Sequence, residues 1–185
     1  MPDVSVVIPT YNRLSFLREA VASCFEGNDE LELQVVVVDD GSTDGTREWL
    51  RSVQDDRIRP VLREHDGAQR ARNAGLEAAE GETIKFLDSD DYVYPGVLRK
   101  QYETLMEAGA DLCYGPLDIV DENGEACGHR SNLLVEDFLG GVATGAVTTY
   151  PHVFLYRAKV ANRTRWRTGV SYHQDTVYAL DVATH

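Results

Sequence analysis

The stretch VVVVDDGSTDGT, Val35–Thr46, decides the fold. It continues a near-continuous apolar run, Leu33–Val38, and such a run is typical of a strand covered on both faces, as in a parallel sheet. The run ends abruptly at Asp39 and Asp40, and Gly41 then permits a tight turn. Because the ligand crevice of an open α/β sheet lies at the carboxyl ends of its strands, the sequence predicts a binding site here.

Strands and helices alternate on both sides of this stretch. Apolar runs that end in turn residues predict strands, and apolar residues at helical spacing predict helices. The predicted strands are Val4–Ile8, Leu33–Val38, Ile58–Leu62, Thr83–Leu87, Leu112–Tyr114, Leu117–Val120 and His152–Tyr156, and the predicted helices are Leu14–Cys24, Thr46–Val53, Gly67–Ala79, Val97–Ala108 and Gln174–Val182. This alternation predicts an α/β fold, a Rossmann-like three-layer α/β/α sandwich with a mostly parallel central sheet.

Three local features complete the prediction. Pro95 is placed in the first turn of the helix that continues over Val97–Ala108. Asp121–Gly124 is predicted to be a hairpin turn. From Ser131 to Arg167 the pattern weakens, and the closely spaced glycines at 140, 141 and 145 predict a mobile loop rather than a packed helix.

The composition excludes several classes of protein. With 43% hydrophobic and 26% charged residues among 185, the chain has enough apolar side chains for a core and is not expected to be disordered. Its 18 basic and 31 acidic residues give a net charge of −13, which argues against a nucleic-acid partner. The three cysteines form no CxxC pair, so neither a disulfide framework nor a zinc site is expected. The sequence shows no signal peptide and no membrane span, and we expect a cytoplasmic protein.

The segment LDSDD places three carboxylates, Asp88, Asp90 and Asp91, directly after a predicted strand. Like charges this close repel one another unless a positive group compensates them. Mn²⁺ or Mg²⁺ suits this role, because hard cations take oxygen ligands and share their coordination with a diphosphate. A solvated acidic turn is the alternative for such a pattern, but the position at the end of a strand favours a cation site.

Further candidate ligand residues follow the other strands. PTYN, Pro9–Asn12, offers the flat ring of Tyr11 for stacking on a base, although this segment alone is better explained as a capping turn with a surface tyrosine. Asp39 or Asp40 would accept hydrogen bonds from a base or a ribose. Arg72 lies on the helix after the third strand, and the fork of donors on its guanidinium group suits a diphosphate. A surface salt bridge explains this arginine equally well.

Four segments occur in order between residues 4 and 98, namely VSVVIPTYNR, VVVVDDGSTDGT, RARNAGLEAAEGE and IKFLDSDDYVYPGVL. In this order and at these intervals they closely resemble the nucleotide-sugar half of family 2 glycosyltransferases of the GT-A fold. The resemblance implies one domain over 1–185, with a nucleotide-sugar-binding half at 1–98 and an acceptor half at 99–185.

The resemblance also implies roles for single residues, which we retain as expectations. The nucleotide-sugar site would comprise Pro9, Thr10, Tyr11, Asn12, Asp39 and Asp40 around the nucleoside, Arg72 near the sugar or phosphates, and Asp88, Ser89 and Asp90 of the DxD motif. Asp90 would be the direct ligand of Mn²⁺ or Mg²⁺, the second metal-binding residue being Asp88. Asp88 and Ser89 would lie nearer the ribose and the sugar.

The family's catalytic base lies in a later acidic pair that opens a helix in the acceptor half. The best counterpart is HQDTVYAL, His173–Leu180, in which Gln174 and Asp175 replace the usual Glu-Asp. We therefore expect Asp175 to be the base, with Asp181 as the rival if the correspondence shifts by a few residues. A helix cap is the structural alternative for Asp175. Family domains usually run further past this point, so we expect the chain to be truncated at its C-terminus.

The reaction implied is transfer of a sugar from a nucleotide-diphosphate sugar, a UDP-sugar first, to an acceptor hydroxyl with inversion at the anomeric carbon. The acceptor would be a glycan, a lipid-linked compound or another hydroxyl compound, as in polysaccharide biosynthesis, and peripheral attachment at the inner face of a membrane is compatible with this. Two alternatives stay open. One is a nucleotide-sugar-binding protein without turnover, which Gln174 favours. The other is an aspartate-based phosphotransfer protein with Asp88 as the phosphorylated residue, which leaves PTYN without a role. Oligomeric state is not indicated.

Overall fold

A computed structural model describes residues 1–121, 123–132 and 137–184. Within these ranges the chain alternates strands and helices, as the hydrophobic pattern predicts. The elements are β1 (Val4–Thr10), α1 (Leu14–Phe25), β2 (Leu33–Asp40), α2 (Thr46–Ser52), β3 (Ile58–Arg63), α3 (Ala68–Ala78), β4 (Thr83–Phe86), α4 (Val97–Glu107), β5 (Leu112–Tyr114), β6 (Leu117–Val120), β7 (Ala126–Arg130), α5 (Phe138–Thr144), β8 (Phe154–Arg157), α6 (Ala158–Ala161) and α7 (Gln174–Ala183), with a 3₁₀ turn at Pro151–Val153 before β8.

The central sheet has the strand order β3-β2-β1-β4-β8-β5, and β6 pairs with β7 in a separate hairpin. Strands β3, β2, β1 and β4 are parallel, whereas β8 lies antiparallel between β4 and β5. The prediction of a mostly parallel sheet is therefore confirmed. Because β8 is inserted beside β4, the segment that precedes it is brought to the edge of the sheet where the LDSDD turn follows β4.

The two central strands are buried along their whole length, as the apolar run predicts. Alternate residues of β2 enter opposite cores: Val36 and Val38 pack with α3 and α7, whereas Val35 and Val37 pack with α1 and α4. The three layers of the sandwich follow from this alternation.

An apolar pattern on both faces does not by itself determine the register of β2. A buried polar pair does so here, because Ser5 of β1 lies opposite Gln34 of β2 and its hydroxyl donates to Gln34 Oε1 at 2.6 Å. A shift by one residue would leave both buried polar groups without this bond, at about 1–3 kcal/mol each. The resulting register places Thr10 opposite Asp39 and aligns the strand ends that carry the candidate site.

Helix α3 lies unusually close to the sheet at Gly75. A Cβ atom at this position would lie 3.0 Å from Cγ2 of Val38 and closer still to Cγ1 of Val7. Glycine therefore allows α3 to pack directly on β1 and β2, and this contact determines where Arg72, one turn earlier, emerges at the edge of the sheet.

Three predictions require correction or addition. Phe138–Thr144 is a helix rather than part of a mobile loop, because Phe138 packs on Tyr114 and Phe154 and outweighs the unfavourable glycines. Pro95 precedes the first turn of α4, which begins at Val97 after Gly96 with φ +75°. The predicted hairpin turn is followed by the unpredicted strand β7, although residue 122 of that turn lies outside the described residues.

The described residues contain no helix that is long and apolar enough to cross a bilayer.

Candidate functional site

An aromatic surface lies at the carboxyl ends of β1, β2 and β3. The exposed ring of Tyr11 stacks on the ring of His65, with centroids 4.2 Å apart and planes at 25°. His65 Nδ1 lies 2.9 Å from the carboxylate of Asp40, and the N–H of Gly67 donates to Asp40 Oδ2 at 2.8 Å. Asp40 thus ties the loop before α3 to the end of β2, beside a flat surface that suits a nucleobase.

The neighbouring carboxylate of Asp39 is fully buried. It accepts hydrogen bonds from Nε of Arg47 at 2.6 Å and from the N–H of Ser42 at 3.2 Å. Gly41, with φ +88°, makes this turn possible, because a Cβ there would lie 2.8 Å from the backbone nitrogen of His65. A nucleobase that formed a hydrogen bond to Asp39 would share its carboxylate with Arg47 and Ser42.

The PTYN segment connects two loops of this surface. Pro9 and Thr10 are buried at the end of β1. Asn12, with φ +53°, donates its N–H to Ser42 Oγ at 2.9 Å and accepts from the N–H of Thr43 at 2.7 Å. Asn12 therefore holds the loop after β1 against the loop after β2, which positions Tyr11.

The LDSDD turn after β4 places each carboxylate of the DxD pair against an arginine. Asp88 Oδ1 accepts from Arg72 Nη2 of α3 at 2.5 Å, and Asp90 forms an ion pair with Arg13 from the loop after Tyr11. Ser89 between them is buried. Arg13 therefore joins the aromatic surface to the DxD turn, so the two clusters form one continuous edge.

Asp88 and Asp90 are the side chains at this turn that could hold a divalent cation, because hard cations take carboxylate oxygens. Within the described ranges no group of three His, Cys, Asp or Glu side chains could hold a metal, so a cation here would take further oxygen ligands from the donor. The Arg13–Asp90 pair is about half exposed, at 49% and 45%, and such surface pairs contribute about 0–1 kcal/mol. A cation that binds Asp90 can therefore displace Arg13 at little cost.

Arg72 is held between the DxD turn and the last helix. Its side chain is largely buried, and its guanidinium carbon lies 4.5 Å from the centre of the Trp166 ring. Trp166 in turn stacks on Tyr178 of α7 with centroids 4.4 Å apart, and Asn73 binds both its backbone N–H and its carbonyl at 2.9 Å. These contacts bring α3, Trp166 and α7 together around the guanidinium group.

Asp175, in the first turn of α7, belongs to the same electrostatic cluster. Burial raises the pKa of its carboxyl from 3.8 to about 6; the positive charge of Arg72 opposes this, and the charge of Asp88 adds to it. His152 and Asp91 also act on it, in opposite directions. A carboxyl group with a pKa close to neutral is suited to accept a proton in catalysis.

The rival acid, Asp181, lies elsewhere on α7. It is six residues, or about 9 Å of helix rise, beyond Asp175, and both of its carboxylate oxygens accept from Arg167 at 2.6 and 2.7 Å. Asp175 is therefore the acid of this helix on which the charges of Asp88 and Asp91 act, whereas Asp181 is paired with Arg167.

The structure adds three residues that the sequence does not single out, namely His65, His152 and Trp166, and it gives a partner to Asp91. His152 Nδ1 lies 2.8 Å from Asp91 Oδ2, next to the DxD pair. Asp91 is detectable as the third carboxylate of LDSDD, but no sequence pattern marks His152 or Trp166, which reach the site only because β8 and α7 pack beside β4.

Comparison with known proteins identifies the family. Residues 5–167 match the family model described as glycosyl transferase family 2. The chain belongs to this family. The family assignment and the mostly parallel sheet together confirm the prediction of a GT-A type fold.

Two relatives and one solved structure show the extent of the similarity. The succinoglycan biosynthesis protein ExoO of Rhizobium meliloti (strain 1021) is 38% identical over 127 residues, or 68% of this chain and 36% of ExoO. The GalNAc(5)-diNAcBac-PP-undecaprenol β-1,3-glucosyltransferase of Campylobacter jejuni is 38% identical over 111 residues, or 58% of this chain and 34% of that protein. The crystal structure of S. aureus TarS in complex with UDP-GlcNAc superimposes with a TM-score of 0.77 at 25% identity, over 97% of this chain and 52% of TarS.

The family 2 chain thus spans about a third to a half of the length of these proteins. The segment that matches the family model contains each predicted donor-site residue, from Pro9 to Asp90, whereas Asp175 lies eight residues beyond its end at residue 167.

Proposed function

We propose that this chain carries the donor site and the catalytic base of a metal-dependent, inverting glycosyltransferase that moves a sugar from a nucleotide-diphosphate sugar to an acceptor hydroxyl. The supporting observation is that Arg72 pairs with Asp88 at 2.5 Å and that the charges of both act on the pKa of Asp175. These residues lie far apart in the chain. Together they provide a guanidinium group that can bind a diphosphate and a carboxyl group that can accept a proton. Family membership favours sugar transfer over the aspartate phosphotransfer that LDSDD alone allows.

The donor would lie along the edge from Tyr11 to Asp88. The stacked rings of Tyr11 and His65 offer a surface for the base, and Asp39 and Asp40 lie beside them with Pro9, Thr10 and Asn12 as the supporting loop. Ser89 would lie close to the ribose and sugar. A UDP-sugar is the first choice, because TarS, with the same fold, has been solved with UDP and with UDP-GlcNAc.

Arg72 and a cation held by the DxD carboxylates would bind the diphosphate. Arg72 presents a rigid, largely buried guanidinium group, and fork-shaped donors of this kind bind phosphate oxygens in pairs. Mn²⁺ or Mg²⁺ bound by Asp90, with Asp88 as second ligand, would supply positive charge to the leaving diphosphate. A diphosphate that engaged Arg72 would weaken its pair with Asp88 and leave that carboxylate available.

Asp175 would be the general base. Its carboxylate would take the proton of the acceptor hydroxyl as the oxygen bonds to the anomeric carbon and the bond from that carbon to the diphosphate oxygen breaks. Attack on the face opposite to the leaving group inverts the configuration. Such a base contributes on the order of 10²- to 10⁴-fold to the rate.

The two halves of the chain would divide these tasks within one domain. Residues 1–98 would hold the donor, and residues 99–185 would supply Asp175 and the surface for the acceptor. A saccharide acceptor, free or lipid-linked, is consistent with the relatives named for succinoglycan biosynthesis and for an undecaprenol-linked substrate.

Donor turnover tests the proposal. The chain is incubated with UDP-GlcNAc, UDP-glucose or GDP-mannose in the presence of Mn²⁺, Mg²⁺ or EDTA, and nucleotide release and the anomeric configuration of the first product are followed by NMR. We expect one donor to be cleaved with inversion, only with metal, and Asp175→Asn to lose about 10²- to 10⁴-fold in turnover. Asp181→Asn is the matched control on the same helix and should retain activity. Equal turnover in EDTA, or equal loss in the two variants, would contradict the assignment.

A further inference from the structure

A short segment, Thr149–His152, is held across the gap between the DxD turn and α7. At one end, the hydroxyl groups of Thr149 and Thr176 lie 2.6 Å apart, and Thr176 follows Asp175 in the first turn of α7. At the other end, His152 Nδ1 lies 2.8 Å from Asp91. The segment therefore borders the proposed base on one side and the proposed metal turn on the other.

A buried lysine binds the backbone of this segment from inside the core. Lys85 of β4 is completely buried, and its ammonium group donates to the carbonyl of His152 at 2.6 Å and to Gln101 Oε1 at 2.9 Å. Gln101 in turn donates to the carbonyl of Val153 at 3.0 Å. A charged donor inside the core makes strong hydrogen bonds and is costly to disrupt, so the backbone at His152 is firmly held relative to β4 and the turn that follows it.

The segment presents a flat aromatic surface at this position. The Tyr150 ring is 49% exposed, and it lies parallel to the His152 ring, with centroids 5.8 Å apart and planes at 7°. The exposed rings of Tyr92 and Tyr94, which contact each other, follow Asp91 directly. Pyranose rings expose C–H faces that pack on aromatic rings, whereas their hydroxyl groups require donors and acceptors such as an imidazole and a carboxylate.

We propose, on the basis of the proposed function, that Tyr150 and His152 form the acceptor subsite of this enzyme and that the acceptor bound there is a neutral pyranoside. Tyr150 packs on the face of the sugar, and His152 with Asp91 binds its hydroxyl groups, which directs one hydroxyl towards Asp175. A neutral sugar suits this site better than an acidic one, since three carboxylates, Asp88, Asp91 and Asp175, stand against one arginine, Arg72, among the groups that interact here.

The test compares transfer with donor hydrolysis. The acceptor probes are the neutral p-nitrophenyl glycosides of glucose, galactose and N-acetylglucosamine and the acidic p-nitrophenyl glucuronide, each supplied with the donor that the wild type hydrolyses. Transfer products are separated by chromatography, and nucleotide release without an acceptor is measured in parallel. Variants are Tyr150→Ala, Tyr150→Phe and, as control, Phe16→Ala, which removes a ring that is 54% exposed on α1.

We expect Tyr150→Ala to raise the acceptor KM about tenfold, as for the loss of one aromatic packing partner. Tyr150→Phe keeps the ring and should restore the KM to within about threefold of the wild type, and both variants should hydrolyse the donor at the wild-type rate. Phe16→Ala should change neither quantity. The neutral glycosides should be used at least about tenfold more efficiently than the glucuronide.

Other outcomes would overturn the inference without touching the proposed function. These are an unchanged acceptor KM in Tyr150→Ala, an equal effect of Phe16→Ala, a glucuronide used as well as the neutral glycosides, or donor hydrolysis that none of the four glycosides converts into transfer. A loss of donor hydrolysis in Tyr150→Ala would assign the ring to the donor instead. Failure of the wild type to cleave any donor would refute the proposed function itself.

Discussion

Substitution of Asp175 by asparagine is predicted to stabilise the folded protein while it lowers turnover by about 10²- to 10⁴-fold. The pKa of this carboxyl is raised from 3.8 to about 6, first by burial and then by the charge of Asp88, against the opposing charge of Arg72. Above pH 6 the folded state must hold a carboxylate that its surroundings disfavour, whereas the unfolded chain ionises freely above 3.8. Asparagine has a similar shape and removes that charge.

The size of the effect follows from the two pKa values. At about 1.4 kcal/mol for each tenfold change in proton affinity, a rise from 3.8 to about 6 costs the folded state up to about 3 kcal/mol at neutral pH. Because the folded pKa is the higher one, the unfolded state binds fewer protons between these values, and the stability of the wild type falls as the pH rises through this window. Below pH 3.8 the carboxyl is protonated in both states and the cost disappears.

Urea unfolding at pH 4, 5, 6 and 7.5 in EDTA measures this difference. Asp175→Asn should exceed the wild type in free energy of unfolding by up to about 3 kcal/mol at pH 7.5, or roughly 6–12 °C in melting temperature, and by almost nothing at pH 4. Asp181→Asn removes the charge of a carboxylate that is 18% exposed and paired with Arg167, and it should lower rather than raise the free energy of unfolding at pH 7.5. A destabilised Asp175→Asn at pH 7.5, or an advantage that is undiminished at pH 4, would refute the reasoning.

Further predictions concern the support of the site. Burial lowers the pKa of Lys85 from 10.5 to about 8, so the unfolded state binds more protons than the folded state between these values. The free energy of unfolding of the wild type should therefore rise by up to about 3 kcal/mol relative to Lys85→Met as the pH rises from 8 to 10.5. A difference in urea unfolding that is constant with pH would count against this. Gly75→Ala places a methyl group against Val7 and Val38 and should cost about 1–3 kcal/mol, which differential scanning calorimetry would detect as a lower melting temperature. The wild-type kcat/KM should fall tenfold per pH unit below about 6, the pKa of Asp175, and a pH profile flat down to 4.5 would exclude this carboxyl as the base.

The sequence was most informative about the first half of the chain. Strands such as β1 and β2 are apolar on both faces, so their local pattern already specifies a buried parallel strand. The carboxyl ends of parallel strands lie at the same edge of a sheet, whatever the order of the strands. This alone predicts that Asp39, Asp40, Asp88 and Asp90 lie at one edge.

The structure of the second half of the chain depends on contacts between residues that are distant in sequence. Helix α5 contains two adjacent glycines, each about 1 kcal/mol less favourable than alanine in a helix, and it forms because Phe138 packs on Phe154. Strand β8 is too short for its position in the sheet to be predicted from its own residues, and that position brings His152 next to Asp91. The placement of His152 beside Asp91 could therefore not be predicted from the sequence.

Calorimetric titration of nucleotides tests most directly whether this edge is a donor site. UDP, GDP, dTDP and CDP are titrated into the wild type and into Asp90→Ala, each with Mn²⁺, Mg²⁺ or EDTA. A donor site at Asp90 predicts that one nucleotide, UDP first, binds only with metal and that this binding is lost in Asp90→Ala although the variant remains folded. Failure of all four nucleotides to bind the folded wild type, or identical binding by Asp90→Ala, would contradict it.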